Sequence, residues 1–195
     1  MDYAFFAMIS RLRWIDRWAL MRNSDNENLS EHSLDVAILA HALAVIGNKK
    51  FGKSLNAEKA ALFGLYHDVS EILTGDMPTP VKYFNPEIAS AYKDIEKTAC
   101  EKLLTLLPDY LKDSYSEAMM PDDAYSYEKK LVKAADKLSA YIKCITEKKA
   151  GNTEFTSAEA STLKSLKEME LEEVKVFLDD FMPSYSKTLD EIQVW

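Results

Sequence analysis

The chain holds only three histidines, His32, His41 and His67, and two of them stand beside carboxylates. His67 is followed directly by Asp68, and Glu71 comes three residues later. Neighbouring residues on a helix point about 100° apart, so His67 and Asp68 reach one ion only if it lies between their directions. Glu71 falls on the same face as both. The surrounding residues Ala61, Leu62, Phe63, Leu65, Val69, Ile72 and Leu73 are apolar. Carboxylates buried there without partners cost roughly several kcal/mol each, a cost that a divalent cation removes. The alternative is a solvated face whose carboxylates are satisfied by water.

Two further segments offer ligands. Ser30-Glu31-His32-Ser33 opens a second apolar-periodic stretch, and a helix N-terminus favours the neutral imidazole that a metal needs. Read alone, it is an exposed polar first turn. Asp136 lies among Leu131, Val132, Ala135, Leu138 and Ala140. It either enters the core as a ligand or is held at the surface by Lys133 or Lys137. The series His32, His67, Asp68 and Asp136 gives two imidazoles and two carboxylates on separate helices. Mixed nitrogen and oxygen ligation suits Mn²⁺, Co²⁺, Fe²⁺ or Zn²⁺ better than an all-oxygen site. Four protein ligands leave room for water and substrate, as metal-assisted hydrolysis requires. His41 lies on the opposite face of its helix from His32 and is read as a hydrogen-bonded structural histidine.

The elements that must position these groups read as helices throughout. Phe5, Phe6, Ile9, Leu12 and Ile15 predict a first helix over about 2–19. A polar loop follows, and Asn28 with Glu31 forms a capping-box pattern for a helix ending near Gly47. Asn56 caps a helix expected from Ala57 to Leu73. Residues 74–84 contain Pro78 and Pro80 and read as irregular. Asn85-Pro86-Glu87 opens a helix to about Leu107. A short helix over 109–119 and a long one over 124–150 follow, then another from Ser157 to Phe181, stopped by Pro183; the last residues add at most a short turn. The stripe Tyr141, Ile142, Ile145 is core or dimer surface. No alternating strand is convincing. The fold class expected is all-α, a single-domain helical bundle over 1–195.

Bulk properties agree. Five Gly and six Pro are too few for a many-turned β-sandwich. The net charge of −8 disfavours a nucleic-acid polymer as partner. A small phosphate ligand stays compatible, because a cation and one or two Arg reverse the local field. Cys100 and Cys144 have no metal-binding or redox spacing and read as reduced thiols of a cytoplasmic protein. Arg11, Arg13, Asp16 and Arg17 interrupt any secretory apolar core. No uninterrupted apolar run is expected to span a membrane.

The H…HD…D pattern resembles the HD-domain metal phosphohydrolase superfamily, and more closely its bacterial 5′-deoxynucleotidases. The segments that carry the likeness are Ser10-Arg-Leu, Arg17-Trp18, Leu20-Met-Arg22, Ser30-Glu-His-Ser33, Tyr66-His-Asp68, Ser70-Glu71, Thr74-Gly-Asp-Met-Pro-Thr-Pro-Val-Lys-Tyr-Phe84 and Val132-Lys-Ala-Ala-Asp136. The string from Thr74 to Phe84 is the most specific of them; no motif lies beyond about Ser157. The resemblance implies an HD-type helical bundle that removes the 5′-phosphate from 2′-deoxynucleoside monophosphates and works as a homodimer. It implies His32, His67, Asp68 and Asp136 as ligands to a cation such as Co²⁺ or Mn²⁺, with His32, Asp68 and Asp136 also near substrate. Glu71 would orient or deprotonate the attacking water. Arg17 would hold the phosphate and stabilise its developing charge. Trp18 would pack on the sugar and favour deoxyribose, and Asp76, Met77, Pro78 and Thr79 would line the sugar and phosphate pocket. Met77 and Ala19 stand where the family often has Leu and Pro. From residue type alone, Arg17 reads as a surface ion pair, the usual fate of an arginine, and Trp18 equally as a core residue. Other activities left open are a triphosphohydrolase, a phosphodiesterase, or a non-catalytic module that binds nucleotide or metal.

Overall fold

The computed structural model describes residues 2–82 and 84–192. Its first helix is much shorter than the expected 2–19: α1 spans Phe5–Ile9 and passes into a 3-10 turn over Ser10–Trp14. The chain then leaves the helix to lie antiparallel beside its own return. Arg17 N–H bonds to Glu27 O at 2.9 Å, Leu29 N–H bonds to Ile15 O at 3.0 Å, and an isolated bridge joins Asp16 and Asn28. Of the residues whose spacing predicted the helix, Phe5 and Leu12 are buried and Phe6 is exposed, so the apolar spacing reported a buried face only in part.

Asn28 caps α2 (Leu29–Phe51) with the expected box, and Gly52 in the left-handed region ends it one turn beyond the predicted Gly47. An 18-residue window of α2 has mean hydropathy 1.4, so by length and composition alone the helix could cross a membrane, although Glu31 and Asp35 interrupt its apolar run. In the fold it packs against α3 and α8, and it buries His32 and Ser33. His41 is exposed, on the face opposite His32 as expected but not as a hydrogen-bonded core residue.

Asn56 caps α3 (Ala57–Tyr66) as expected. The helix predicted to run on to Leu73 breaks over residues 67–70 and restarts as α4 (Glu71–Thr74). The break has a packing cause. Phe63 belongs to one apolar core, whereas Val69 belongs to a second with Phe5, Cys100, Leu103, Leu107 and Met119. The chain turns between the two, at the point where His67 and Asp68 stand.

The segment after Gly75 is not wholly irregular, because Thr79–Lys82 makes one helical turn, α5. Pro80 sits in its first turn, where a missing N–H costs nothing. Tyr83, within the string from Thr74 to Phe84, lies outside the described residues. Asn85 and Pro86 start α6 (Pro86–Leu104) as predicted, three residues shorter at its end. Then come α7 (Asp109–Met119), α8 (Ser126–Lys149), α9 (Thr156–Glu168), α10 (Glu172–Asp180) and α11 (Leu189–Ile192). The single helix expected over 157–181 is two, because Glu170 adopts a φ of 52° between them. That turn lets Leu166 from α9 and Val174 and Phe177 from α10 enter the same core. The expected closing turn is α11, and residues 193–195 lie outside the described part. Tyr141, Ile142 and Ile145 pack against the first core. Among the described residues there is no strand ladder, so the all-α class holds.

Candidate active site

Four elements converge where the two cores meet. His32 comes from the first turn of α2, His67 and Asp68 from the break after α3, Glu71 from the start of α4, and Asp136 from the middle of α8. The contact between α2 and α3 sets the spacing of the two histidines. A Cβ on Gly64 would lie 2.9 Å from Ala37 Cα and 3.0 Å from Val36 O, so only glycine permits this approach. Gly64 O also accepts the Nδ1–H of His67 at 2.8 Å. A carbonyl only accepts, so this bond leaves the lone pair on His67 Nε2.

His67 Nε2 lies 3.0 Å from Asp68 Oδ2; His32 Nε2 lies 3.5 Å from the same oxygen and 3.3 Å from Asp136 Oδ1. None of these contacts is aligned as a hydrogen bond, and both Nε2 atoms are buried without a partner. Nitrogens and carboxylate oxygens that converge without pairing are the donor set of a cation site. His32, His67 and Asp68 form the tight group, their donor atoms within 4.8 Å of one another. Asp136 flanks it through its contact with His32 rather than being held by Lys133 or Lys137. His32 is completely buried and its Nδ1 lies 3.1 Å from Ser139 Oγ. Ser139 follows Asp136 by one helical turn of α8, so both address the same ring from one face.

The electrostatics match a site waiting for positive charge. Burial works against charge on His67, but Asp68 outweighs it and pushes the imidazole up to about 9. Burial likewise works against ionised Asp68, yet His67 and His32 hold that carboxyl well below its usual range. Glu71 is buried, and burial with the nearby Asp68 and Asp76 pushes it up to about 9. Its Oε2 has no partner, while Oε1 lies 3.9 Å from Lys82 Nζ. Lys82 itself pairs with Glu96 at 2.7 Å. A cation in the cluster reverses this logic by stabilising every carboxylate around it.

Arg17 and Trp18 do not end a helix, as the sequence suggested; they sit in the extended loop over residues 15–28. Arg17 Nη1 lies 2.9 Å from Glu27 Oε2 and 2.5 Å from His32 Nδ1, and Nη2 lies 4.0 Å from Asp136 Oδ1. Arg17 is therefore no surface ion pair. Burial opposes its charge, but Glu27, Asp136, Asp68 and Asp76 outweigh it. Trp18 packs on Phe155 with ring centroids 5.2 Å apart and is half-buried, between the core and pocket roles. Its N–H reaches Asp76 Oδ2 at 3.3 Å, which ties the loop to the segment after α4. Met77, Pro78 and Thr79 follow Asp76 and lead into α5. Among the described residues they make no side-chain hydrogen bond or ion pair to the cluster.

The sequence singled out no role for Glu27, Lys82, Ser139, Phe155, Lys143 or Glu147. Two of them carried a signal: Lys82 lies in the family-like string from Thr74 to Phe84, and Ser139 has helical spacing from Asp136. Lys143 and Glu147 form a buried pair on α8, 2.5 Å apart. Glu147 accepts from Ser24 N at 2.8 Å and Asn152 Nδ2 at 2.7 Å, and Lys143 donates to Asp25 O. Together they fasten the loop that carries Arg17 and Trp18.

The family model described as 5′-deoxynucleotidase YfbR-like matches residues 4–185. A 5′-deoxynucleotidase of Vibrio cholerae is 52% identical over 188 residues, covering 96% of this chain and 97% of that protein. The 5′-deoxynucleotidase YfbR of Escherichia coli is 52% identical over 189 residues, covering 96% and 94%. Among solved structures, an HD-domain phosphohydrolase of Listeria innocua superposes with a TM-score of 0.81 at 24% identity, over 93% of this chain and 87% of that one. The cyanophage S-2L HD phosphohydrolase, bound to dA and one catalytic Zn²⁺ ion, gives 0.68 at 20% identity, over 96% and 100%. These likenesses place the helical bundle in the HD-domain fold.

Proposed function

The chain belongs to the 5′-deoxynucleotidase YfbR-like family, and from that premise we propose how its residues divide the work. It is a 5′-deoxynucleotidase, a phosphoric monoester hydrolase that turns a 2′-deoxynucleoside 5′-monophosphate and water into a deoxynucleoside and phosphate. The observation that carries the division of labour is the pair of buried, unpartnered Nε2 atoms facing Asp68 and Asp136.

His32, His67, Asp68 and Asp136 hold a divalent cation, with Co²⁺ or Mn²⁺ matched to this mixed donor set. The zinc of the cyanophage relative supports a transition metal in this fold. When bound, such an ion supplies Lewis acidity toward a phosphate oxygen and lowers the pKa of water. Glu71 orients the attacking water and takes its proton; its Oε2 is buried without a partner, and beside a cation in the cluster the carboxylate stays ionised so that it can accept one. Arg17 keeps its charge while buried and stabilises the negative charge that builds on the equatorial oxygens. Trp18 lies along the sugar and disfavours a 2′-hydroxyl. Asp76, Met77, Pro78 and Thr79 wall the sugar and phosphate pocket.

Residues 1–195 act as one domain. The active unit is a homodimer in the cytoplasm, with no membrane or nucleic-acid polymer as partner. Support for the dimer comes from α2, where Leu34 and Ile38 are exposed one turn apart. Ile38→Glu is then expected to give monomers by light scattering, and a wild-type monomer would end that part.

Phosphate release from dAMP and AMP, measured with each divalent metal in turn, tests the activity. Glu71→Ala is expected to keep its metal and lose turnover. Release of triphosphate from dATP with no action on dAMP would move the chain to another HD activity. Binding of dAMP without turnover under every metal would make it a non-catalytic module.

A further inference from the structure

Two residues assigned to substrate share one support. Glu27 Oε2 accepts from Arg17 Nη1 at 2.9 Å and from Trp18 Nε1 at 2.9 Å. The carboxylate and the guanidinium are both nearly buried, at 12% and 11% exposure. The main chain of Glu27 acts on the same unit, since its carbonyl accepts the Arg17 N–H at 2.9 Å. One residue thus fixes Arg17 at backbone and side chain and fixes the indole beside it.

Trp18 needs that support. Its φ of 60° lies in the left-handed region, which is costly for a bulky L-residue and persists only where contacts over-determine it. Those contacts are present. Trp18 N–H is held by Asp76, and its carbonyl accepts from Met21 N at 2.9 Å and Asn23 Nδ2 at 3.3 Å. Phe155 closes one face of the ring. What remains free is the swing of the indole about its side-chain bonds, and the bond to Glu27 stops it. The outlier therefore aims an aromatic ring, and Glu27 sets the aim.

We propose that Glu27 is a positioning residue that couples the phosphate contact of Arg17 to the sugar contact of Trp18, so that one carboxylate oxygen sets turnover and deoxyribose selectivity together. The proposal rests on the roles given above to Arg17 and Trp18. Without Glu27 the indole N–H loses its acceptor, and the guanidinium, whose Nη1 also lies against His32 Nδ1, loses the carboxylate that fixes it from the other side.

The test compares kcat and KM for dAMP and AMP in wild type, Glu27→Ala, Glu27→Gln, Trp18→Ala and Arg17→Ala, with bound metal measured in each. Losing a charge-assisted hydrogen bond corresponds to roughly a 10- to 100-fold change. Glu27→Ala is expected to lose that much in kcat/KM on dAMP and to narrow the dAMP-to-AMP preference at least about fivefold, with metal content unchanged. Glu27→Gln keeps an acceptor for the indole, so it should retain more of the sugar preference while losing kcat. That split is one a merely structural role would not produce. If Trp18→Ala leaves the preference intact, the sugar role of Trp18 falls and the inference falls with it. If Trp18→Ala collapses the preference while folded Glu27→Ala or Glu27→Gln matches wild type, the coupling alone is refuted.

Discussion

Gly64→Ala is a substitution for which local propensity and packing predict opposite signs. In a helix, alanine is favoured over glycine by roughly 0.5–1 kcal/mol, so on secondary structure alone the variant gains stability. The added Cβ, however, meets Ala37 Cα at 2.9 Å, Ala37 N at 3.0 Å and Val36 O at 3.0 Å. These are backbone atoms of α2 and cannot rotate aside. Carbon atoms rest at about 3.5–4.0 Å, so α2 and α3 must separate by about 0.6–1 Å. Overpacking of this kind costs typically about 1–3 kcal/mol, which exceeds the propensity gain over most of its range. At about 2–4 °C per kcal/mol for a chain of this size, the midpoint should fall by up to roughly 10 °C. The same displacement pulls His32 on α2 from His67, whose ring is oriented by the Gly64 carbonyl. Metal sites tolerate about ±0.2 Å in ligand distance, so metal affinity should fall by roughly tenfold or more, independently of unfolding. Calorimetry with and without Mn²⁺, together with a metal titration of the folded variant, reads both effects. A variant that melts at or above wild type and binds Mn²⁺ as tightly would refute the claim that this helix crossing spaces the ligands.

Glu147→Gln leaves Lys143 nearly buried without its anion, an error that costs about 3–5 kcal/mol, and it should melt well below wild type and raise KM through the loosened loop. Burial works against Glu147, but Lys143, Asn152 and Ser24 hold its carboxyl at about 2. Its stabilisation is therefore complete above the ordinary carboxyl value of about 4.5 and is lost as pH falls toward 2; urea melts over this range should show a slope that Glu147→Gln lacks. Gly47→Ala should be destabilised, because its Cβ meets Glu173 Oε1 at 2.7 Å and Leu55 Cδ1 at 2.8 Å. Glu173 is fixed there by Lys53 at 2.6 Å, and Glu173→Gln in the same chain should recover little if packing is the cause. Burial pushes Cys100 and Cys144 up to about 11, so a thiol reagent at pH 8 should label the native protein only as fast as it opens.

Local signals in the sequence translated directly into structure. Asn28 with Glu31, Asn56 and Asn85-Pro86 each marked a helix start, because a cap is satisfied within one turn of chain. His67, Asp68 and Glu71 stood out because carboxylates in an apolar stretch need a partner. The breaks did not show. The helix over 57–73 has unbroken periodicity, and its interruption follows from Phe63 and Val69 entering different cores, which no short window contains. The turn at Glu170 is hidden in the same way, since apolar spacing continues through it. Glu27 and Glu147 left no trace either. Each is an acidic residue in polar surroundings whose role depends on partners, Trp18 and Ser24 among them, that the fold supplies.

Metal stoichiometry tests the central claim most directly. Purified protein stripped of metal and titrated with Mn²⁺ should take up one ion per chain and gain phosphate release from dAMP in step with it. His67→Ala and Asp136→Ala should fail at both while remaining helical. An Asp136→Ala variant that still binds one ion and turns over at the wild-type rate, or a stripped wild type that needs no metal, would contradict the account.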